Sequence, residues 1–453
     1  MNLTSEQSAA IARTAVERAT PGDVVTLAMD LGPMPSHVGA ILRFDKIPGG
    51  DLGAMEQLIA DRAGAVPRLR QRLVRAPLGC GPPVWTDDPD ADAAQHVHRI
   101  ECPPPGDERA LLDLAVHVVT MPLPPVRPLW SAVAVTGLAD GGVALLFVLH
   151  HVLADGVGGL AVLAALADGA PAPEPRRVAR SAPTRGELAA DAAVRRRQAV
   201  RRLPGGVRSL RRWLSAAGGS RPDPATACTL IGSVGRRRRY EVVRADAAPL
   251  RAVAHRHGAT VNDAVLVAVS AALRDLLAAR GEAVDPIAVG VPVSMRRSTT
   301  AAMLGNQVAP ILVPVPVDGG VPERLKRVAA TVQGGRSAAT QPPPAGVATA
   351  MWWAARLGLL RRYMTHQRRM HTLVSSIHGP DERITLGGST VASIVPLAAA
   401  ETGNVRVSFD VLAYAGGLTI TVIADPDTVP DLPDLASALR RELNAIAGTS
   451  TVH

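Results

Sequence analysis

Aromatic residues make up only 2% of this 453-residue chain, and its cysteines number three. With so little Phe, Tyr and Trp, the core has to be built from Ala, Val and Leu. Cys80, Cys102 and Cys228 are scattered and include no CxxC pair, which excludes a disulfide framework and zinc-finger spacing and points to a reduced, cytosolic setting. Long apolar runs are missing too. None approaches the roughly 18 residues a membrane-spanning helix needs, and the longest, Gly142 to Leu149, stops at two histidines. Met1 to Thr20 is polar and helix-like, with no signal-peptide h-region. The expectation is a cytoplasmic protein, soluble or peripheral on a membrane.

What is present is globular composition, 47% hydrophobic and 20% charged, in a chain long enough for two large domains. The net charge of +9 is concentrated. Between Arg176 and Arg212 stand twelve arginines against Glu187 and Asp191, so the remainder of the chain is close to neutral. Basicity confined to one segment, with no aromatic interleaving, does not describe a nucleic-acid surface, and no nucleic-acid partner is expected.

The pattern predicts mixed strands and helices in both halves. Val38 to Phe44 reads as a strand and Asp51 to Ala63 as a helix with Leu52, Met55, Leu58 and Ile59 on one face. Ser131–Gly137 and Val143–Leu149 flank the turn Ala139-Asp140-Gly141-Gly142, a hairpin whose second strand is apolar on both faces, as in a buried central strand. Residues 171 to about 225 are rich in Pro, Arg and Gly and read as a crossover with a helix from Glu187 to Arg202. Beyond it, Val261 to Arg280 reads as an amphipathic helix, and Ile287–Val293 and Ala309–Val317 as strands. Val405–Ala413 and Leu418–Ala424 form a second hairpin around Tyr414-Ala415-Gly416-Gly417, and Asp431–Ala447 is a closing helix. This is an α/β plan.

The chemistry concentrates where the buried strand ends, at His150-His151-Val152-Leu153-Ala154-Asp155-Gly156. Successive strand side chains point to opposite faces, so one histidine should face a channel and the other pack inward. A neutral imidazole suits proton abstraction from an alcohol attacking a thioester. Asp155, one turn on, could orient the ring or hold the loop by an ion pair. Two satisfied core histidines beside an Asx turn are the alternative. A metal site is the weaker rival, because adjacent strand histidines diverge and no further ligand lies at suitable spacing.

This heptad and its surroundings resemble a known family. His-His-x-x-x-Asp-Gly is the signature of the coenzyme A-dependent acyltransferase superfamily, shared with condensation domains. The remaining matches resemble the bacterial wax ester synthase/diacylglycerol acyltransferase family. They are Ser36-His37-Val38-Gly39, Val66-Pro67-Arg68-Leu69-Arg70-Gln71-Arg72, Pro83-Val84-Trp85, Arg127-Pro128-Leu129-Trp130, Asn262-Asp263, Pro292-Val293-Ser294-Met295-Arg296 and Gly305-Asn306-Gln307. The resemblance implies two chloramphenicol-acetyltransferase-like α/β sandwich domains, residues 1–170 and 228–453, joined by the crossover 171–227 and enclosing a tunnel. It implies acyl-CoA as co-substrate, a hydroxyl of diacylglycerol or a fatty alcohol as acceptor, and no metal or bound cofactor. His151 would match the catalytic base, with His150 beside it. Asp155 would be mainly structural, with Arg296 as its ion-pair partner. Asn262 would lie near the tunnel, as a helix N-cap or a hydrogen-bond donor. Gly156, Ser375 and Ser376 are candidates for substrate binding or the oxyanion, whereas Trp130 and Pro128 read as packing.

The chain departs from the family pattern at Ser375-Ser376-Ile377-His378-Gly379-Pro380, at Pro124-Pro125, at Ala413-Tyr414 and in its basic crossover. These changes leave the reaction type standing and open the acceptor to a natural-product hydroxyl. The arginines of the crossover could be a solvated linker or could attract an anionic membrane or lipid droplet, and Arg236 to Arg239 could meet coenzyme A phosphates. Two rivals stay open on the residues alone: a free-standing condensation-type enzyme using carrier-protein thioesters, and an inactive scaffold that binds membranes or partners.

Overall fold

The computed structural model describes residues 16–30, 34–44, 51–170, 182–198, 224–294, 308–339, 353–399 and 403–448. Its strands, in chain order, are β1 (His37–Phe44), β2 (Gln71–Val74), β3 (Val84–Asp87), β4 (Val97–Glu101), β5 (Trp130–Thr136), β6 (Val143–His150) and β7 (Arg239–Asp246). They continue with β8 (Ile287–Ser294), β9 (Val308–Val315), β10 (Thr372–His378), β11 (Thr385–Leu386), β12 (Ser389–Ala398), β13 (Val407–Tyr414) and β14 (Gly417–Ala424). Two six-stranded mixed sheets result, in the orders β11-β12-β1-β6-β5-β4 and β7-β14-β13-β10-β8-β9, with β2 and β3 as a separate pair.

Both predicted hairpins are present. β5 and β6 pair antiparallel with Ala132 opposite Phe147, and β6 is buried along most of its length because β1 and β5 flank it. β13 and β14 are joined through Ala415 and Gly416, at φ of 50° and 80°. Two consecutive left-handed residues give the tight turn whose twist matches that of the strands. The helix Leu52–Ala65 starts where Asp51 caps it by accepting from the Ala54 N–H.

The helix Val261–Ala279 differs from its amphipathic expectation. Its residues from Asp263 to Leu273 are all buried, because the helices Val321–Ala339 and Leu432–Ala447 pack beside it over the second sheet. It forms the centre of one core with β8, β9, β13 and β14. The first sheet has cores on both faces, and one of them takes in Tyr240, Val242 and Ile423 of the second sheet.

The sheets do not follow the expected division of the chain at 170 and 228. β11 and β12, from the late part of the chain, complete the first sheet, with Ile41 of β1 opposite Val395. Of the crossover, residues 185–198 are helical, and the helix is docked rather than free. Leu188 and Ala192 are buried, and Arg18 pairs with Asp191 at 2.9 Å while donating to the Leu188 carbonyl. The rest of that expected helix lies outside the described residues. No helix among the described residues is long and apolar enough to cross a membrane.

Ala415 is the one described non-glycine residue at positive φ. An L side chain there costs about 1–2 kcal/mol. Ala415→Gly should therefore stabilise the protein by about 1 kcal/mol, read as a higher midpoint in urea unfolding.

Candidate active site

A cavity of about 380 Å³ lies between the sheets, walled by β1, β6 and β12 on one side and by β8, β9, β10 and β13 on the other. Apolar side chains such as Phe147, Leu149, Leu160 and Leu412 make most of its wall. The polar exceptions include His37, His151, Asp155, Ser375 and Asp410.

Strand alternation divides the two adjacent histidines. His151 lines the cavity, and its N–H donates to the Ser36 carbonyl at 2.7 Å, which fixes where the chain leaves the strand. Burial pushes its pKa down, against the opposing pull of its own backbone and of the Asp155 charge. The neutral, proton-accepting form is therefore favoured near neutral pH. His150, grouped with the catalytic residues on sequence, is not among the residues lining the cavity. Its Nδ1 accepts from the Val152 N–H at 3.0 Å, so its Nε2 carries the proton and donates to Asp30 at 3.0 Å. Asp30 also accepts from the Ser36 N–H at 2.6 Å. His150 thus anchors the end of the helix Pro21–Met29 to the strand carrying its neighbour.

Asp155 is buried and is the N-cap of the helix Gly156–Leu166, accepting from the Gly158 N–H at 2.8 Å. That helix therefore begins at the cavity wall, its positive end toward the seam. Gly156 packs closely on β10: a Cβ there would lie 2.3 Å from Cδ1 of Ile377, so that side chain would have to move. The pair Ser375 and Ser376 is split by β10: Ser375 lines the cavity, and Ser376 points to solvent. The helix cap expected of Asn262 belongs to Thr260, which exchanges hydrogen bonds with Asp263. Asn262 is not among the cavity-lining residues, and its buried Oδ1 has no partner among the described residues. Arg296 and Gly305 to Gln307 lie outside the described residues. Trp130 is packing, as expected: it is 1% exposed, donates to the Leu69 carbonyl at 2.8 Å and stacks on His96. Of the arginine run 236–239, Arg237 pairs with Asp427 and Arg239 with Glu241, while Arg238 turns to backbone carbonyls. None of these four lines the cavity.

Two cavity residues escaped the sequence reading. His37 stood inside a quoted motif without a role. It is 2% exposed, donates from Nδ1 to the Val119 carbonyl at 2.9 Å, and sits edge-on to His150 at 5.6 Å. Asp410 is a carboxylate in an otherwise uncharged strand, opposite Ser375 in the β10–β13 register. A charge inside a strand that reads as buried was the available signal. Among the described residues no group of three or more His, Cys, Asp or Glu is arranged to hold a metal ion.

Comparison with known proteins defines the class first. The fold is similar to the wax ester synthase/diacylglycerol acyltransferase from Marinobacter aquaeolei VT8, with a TM-score of 0.66 at 21% identity over 95% of this chain and all of that one. It is also similar to the starter condensation domain of rhizomide synthetase, solved with C8-CoA, with a TM-score of 0.62 at 15% identity over 98% and 96% of the two chains. This is the two-sheet α/β fold that those two proteins share. The wax ester synthase/diacylglycerol acyltransferase catalytic-domain family model matches residues 20–265, and the C-terminal-domain model matches 304–447. A Mycobacterium tuberculosis protein named as a probable diacylglycerol O-acyltransferase is 30% identical over 419 residues, covering 86% of this chain and 87% of that protein. A second relative from that species, to which the same activity is ascribed, is 29% identical over 95% of this chain and 90% of its own length. The chain belongs to the wax ester synthase/diacylglycerol acyltransferase family and is an O-acyltransferase.

Burial holds the His37 pKa down at about 4 against an ordinary 6.5. As pH falls from 6.5 towards 4, the unfolded chain gains a proton at this ring that the folded protein refuses. Stability is therefore lost across that window, by about 3 kcal/mol from this ring. His96, His151 and His371 are pushed the same way and add to the loss. Asp30, held below its ordinary 3.8, contributes stability that is lost only at still lower pH. Urea unfolding at a series of pH values should show His37→Gln losing about that much less stability between pH 6.5 and 4.

Proposed function

We propose that this enzyme moves an acyl group from acyl-CoA to the hydroxyl of a lipid alcohol, diacylglycerol or a fatty alcohol, with His151 as general base. The carrying observation is the position of the His151 side chain, on the wall of a mainly apolar cavity bounded by both sheets. The alcohol gives its proton to the imidazole as its oxygen attacks the thioester carbonyl. A tetrahedral oxyanion forms and collapses, and the C–S bond breaks. The imidazolium returns the proton to the leaving thiolate, so ester and free CoA thiol are the products. A ring whose burial favours the neutral form is ready to accept the first proton, and its conjugate acid is a better donor for the second.

The oxyanion needs preorganised donors. The N-terminal end of the helix Gly156–Leu166 and the hydroxyl of Ser375 are the groups on the wall suited to it. Asp155 acts by holding that helix end beside His151, a positioning role. The apolar lining suits a long acyl chain, and its volume lies in the range that takes small organic ligands. Substrates of this kind partition into lipid, which favours an enzyme working at a membrane or lipid-droplet surface on the cytoplasmic side.

The decisive test is product analysis of the purified protein with acyl-CoAs and a panel of alcohols, diacylglycerol included. His151→Ala should lower turnover by about 10²–10⁴-fold with little change in unfolding midpoint. His150→Ala should instead cost about 1–3 kcal/mol of stability, since it orphans the buried Val152 N–H and removes a hydrogen bond to Asp30. Undiminished product formation by His151→Ala would remove the mechanism. Carrier-protein thioesters replacing acyl-CoA as the better donor would favour the condensation-type rival.

Asp410 favours a refinement of the acceptor. A carboxylate in an apolar wall suits an acceptor with hydrogen-bond donors beyond the attacking hydroxyl, such as a polyhydroxylated natural product. Asp410→Ala should then lower kcat/KM for such acceptors while sparing simple fatty alcohols. An equal effect on both would argue against that selectivity.

A further inference from the structure

The segment from Trp353 to His371 exposes more large apolar side chains than any other described stretch of comparable length. Trp353 is 51% exposed, Leu357 67%, Leu359 55% and Tyr363 48%. The helix Leu359–Thr365 has no buried residue. Around these side chains stand five arginines, Arg356, Arg361, Arg362, Arg368 and Arg369, and the segment contains no Asp or Glu. Arg361, Arg362, Arg368 and Arg369 are exposed and make no ion pair among the described residues.

The segment is fastened rather than loose. Ala355 is buried, and Gln367 at the other end donates to Asn404 at 2.8 Å and receives a hydrogen bond from it at 2.9 Å. The helix Leu359–Thr365 packs against the helix Pro21–Met29, whose Val25 and Thr26 line the catalytic cavity. Apolar side chains held outward beside four exposed arginines that make no ion pair among the described residues are the chemistry of a helix lying in the interface of an anionic bilayer.

We infer that residues 353–369 form the surface by which this protein docks on an anionic phospholipid bilayer, and that the docked face adjoins the cavity. Trp353, Leu357, Leu359 and Tyr363 enter the headgroup boundary, and the arginines meet the lipid phosphates. A lipid acceptor then reaches the seam between the sheets from the membrane, past the helix Pro21–Met29. This use of the surface rests on the proposed acyl transfer, but the docking does not. It also sets the membrane contact apart from the crossover, whose described helix has Asp191 paired with Arg18 and Arg195 and Arg196 turned to the Gly79 carbonyl.

The test is flotation of the full-length protein with vesicles of phosphatidylcholine alone and of phosphatidylcholine with phosphatidylglycerol. The wild type should float with the anionic vesicles and weakly with the neutral ones, and added salt should release it. Arg361→Glu/Arg362→Glu should weaken anionic binding by at least about 30-fold, and Leu357→Ser/Leu359→Ser should reduce it as well. Arg201→Glu/Arg202→Glu in the crossover should leave it unchanged. All four patch positions are exposed, so the melting curves should match the wild type. Patch variants that bind as the wild type does, loss confined to the crossover variant, or no wild-type binding to either vesicle would each overturn the inference. Turnover of a short-chain acyl-CoA with a water-soluble alcohol should be unchanged in the patch variants. If that turnover persists while vesicle binding proves independent of the patch, the docking surface falls and the acyl-transfer reading stands. If the wild type lacks that turnover, the acyl-transfer reading falls and the vesicle result is judged alone.

Discussion

The two sheets are held at a fixed separation by β12, and the cavity depends on it. This strand is covalently part of the later half of the chain, yet it pairs with β1 of the first sheet along nearly its full length. β11 covers its other edge only at Ser389 and Thr390, so farther along its carbonyls need other partners. Hydroxyl groups of the second half supply them. Tyr240 donates to the Ala398 carbonyl, Thr421 to Pro396 at 2.7 Å and Tyr414 to Val391 at 2.9 Å. Pro396, which has no N–H to offer, fits such an edge. Burial pushes the Tyr240 hydroxyl far above its ordinary pKa, so it remains a donor at any working pH. With the sheets tied at these points, side chains can stop short of each other over the intervening surface and leave a cavity without costing the fold its closure.

The same economy explains two adjacent histidines with separate duties. The strand end must be fastened to the helix Pro21–Met29 by a group that accepts one hydrogen bond and donates another in opposite directions. A neutral imidazole does both, whereas lysine and arginine have no acceptor. His150 takes this duty, bridging the Val152 N–H and Asp30. The next residue necessarily faces the other way, toward the seam. Its direction is therefore set by the bonds of its neighbour and by the Ser36 carbonyl that holds its own N–H. The histidine outside the cavity makes the placement of the one inside reproducible.

Much of the fold was legible because it is local. A turn of small residues between two apolar runs specified each hairpin, and the recurring Val and Leu between Val261 and Ala279 specified the long helix. Strand alternation in the heptad said that the two histidines part company, and the family resemblance said which of them meets the cavity. What depended on contacts distant in sequence was not legible. Nothing local in Ser389–Ala398 says that it joins the first sheet, and the burial of Val261–Ala279 on every side reflects two helices that arrive later in the chain. Ser375 and Ser376 could be separated only once the register of β10 against β13 was known. Thr260 prevails over Asn262 as cap because it precedes Asp263 by three residues, the spacing of a capping box. That signal is local, three residues apart in the sequence.

The cavity keeps polar groups where an apolar wall would be cheaper. Burying an unpaired carboxylate or imidazole costs several kcal/mol, so each such group in a native wall is held in place by partners or by use. His37 has its partner in the Val119 carbonyl and its neighbour in His150. Asp155 has the Gly158 N–H. These two belong to the scaffold that aims His151, and their cost is offset within that scaffold. Asp410 stands on the opposite sheet, beside Ser375, away from the loop that carries His151. The first half of this chain thus supplies His37, His151 and Asp155 to the cavity wall, and the second half supplies Ser375 and Asp410.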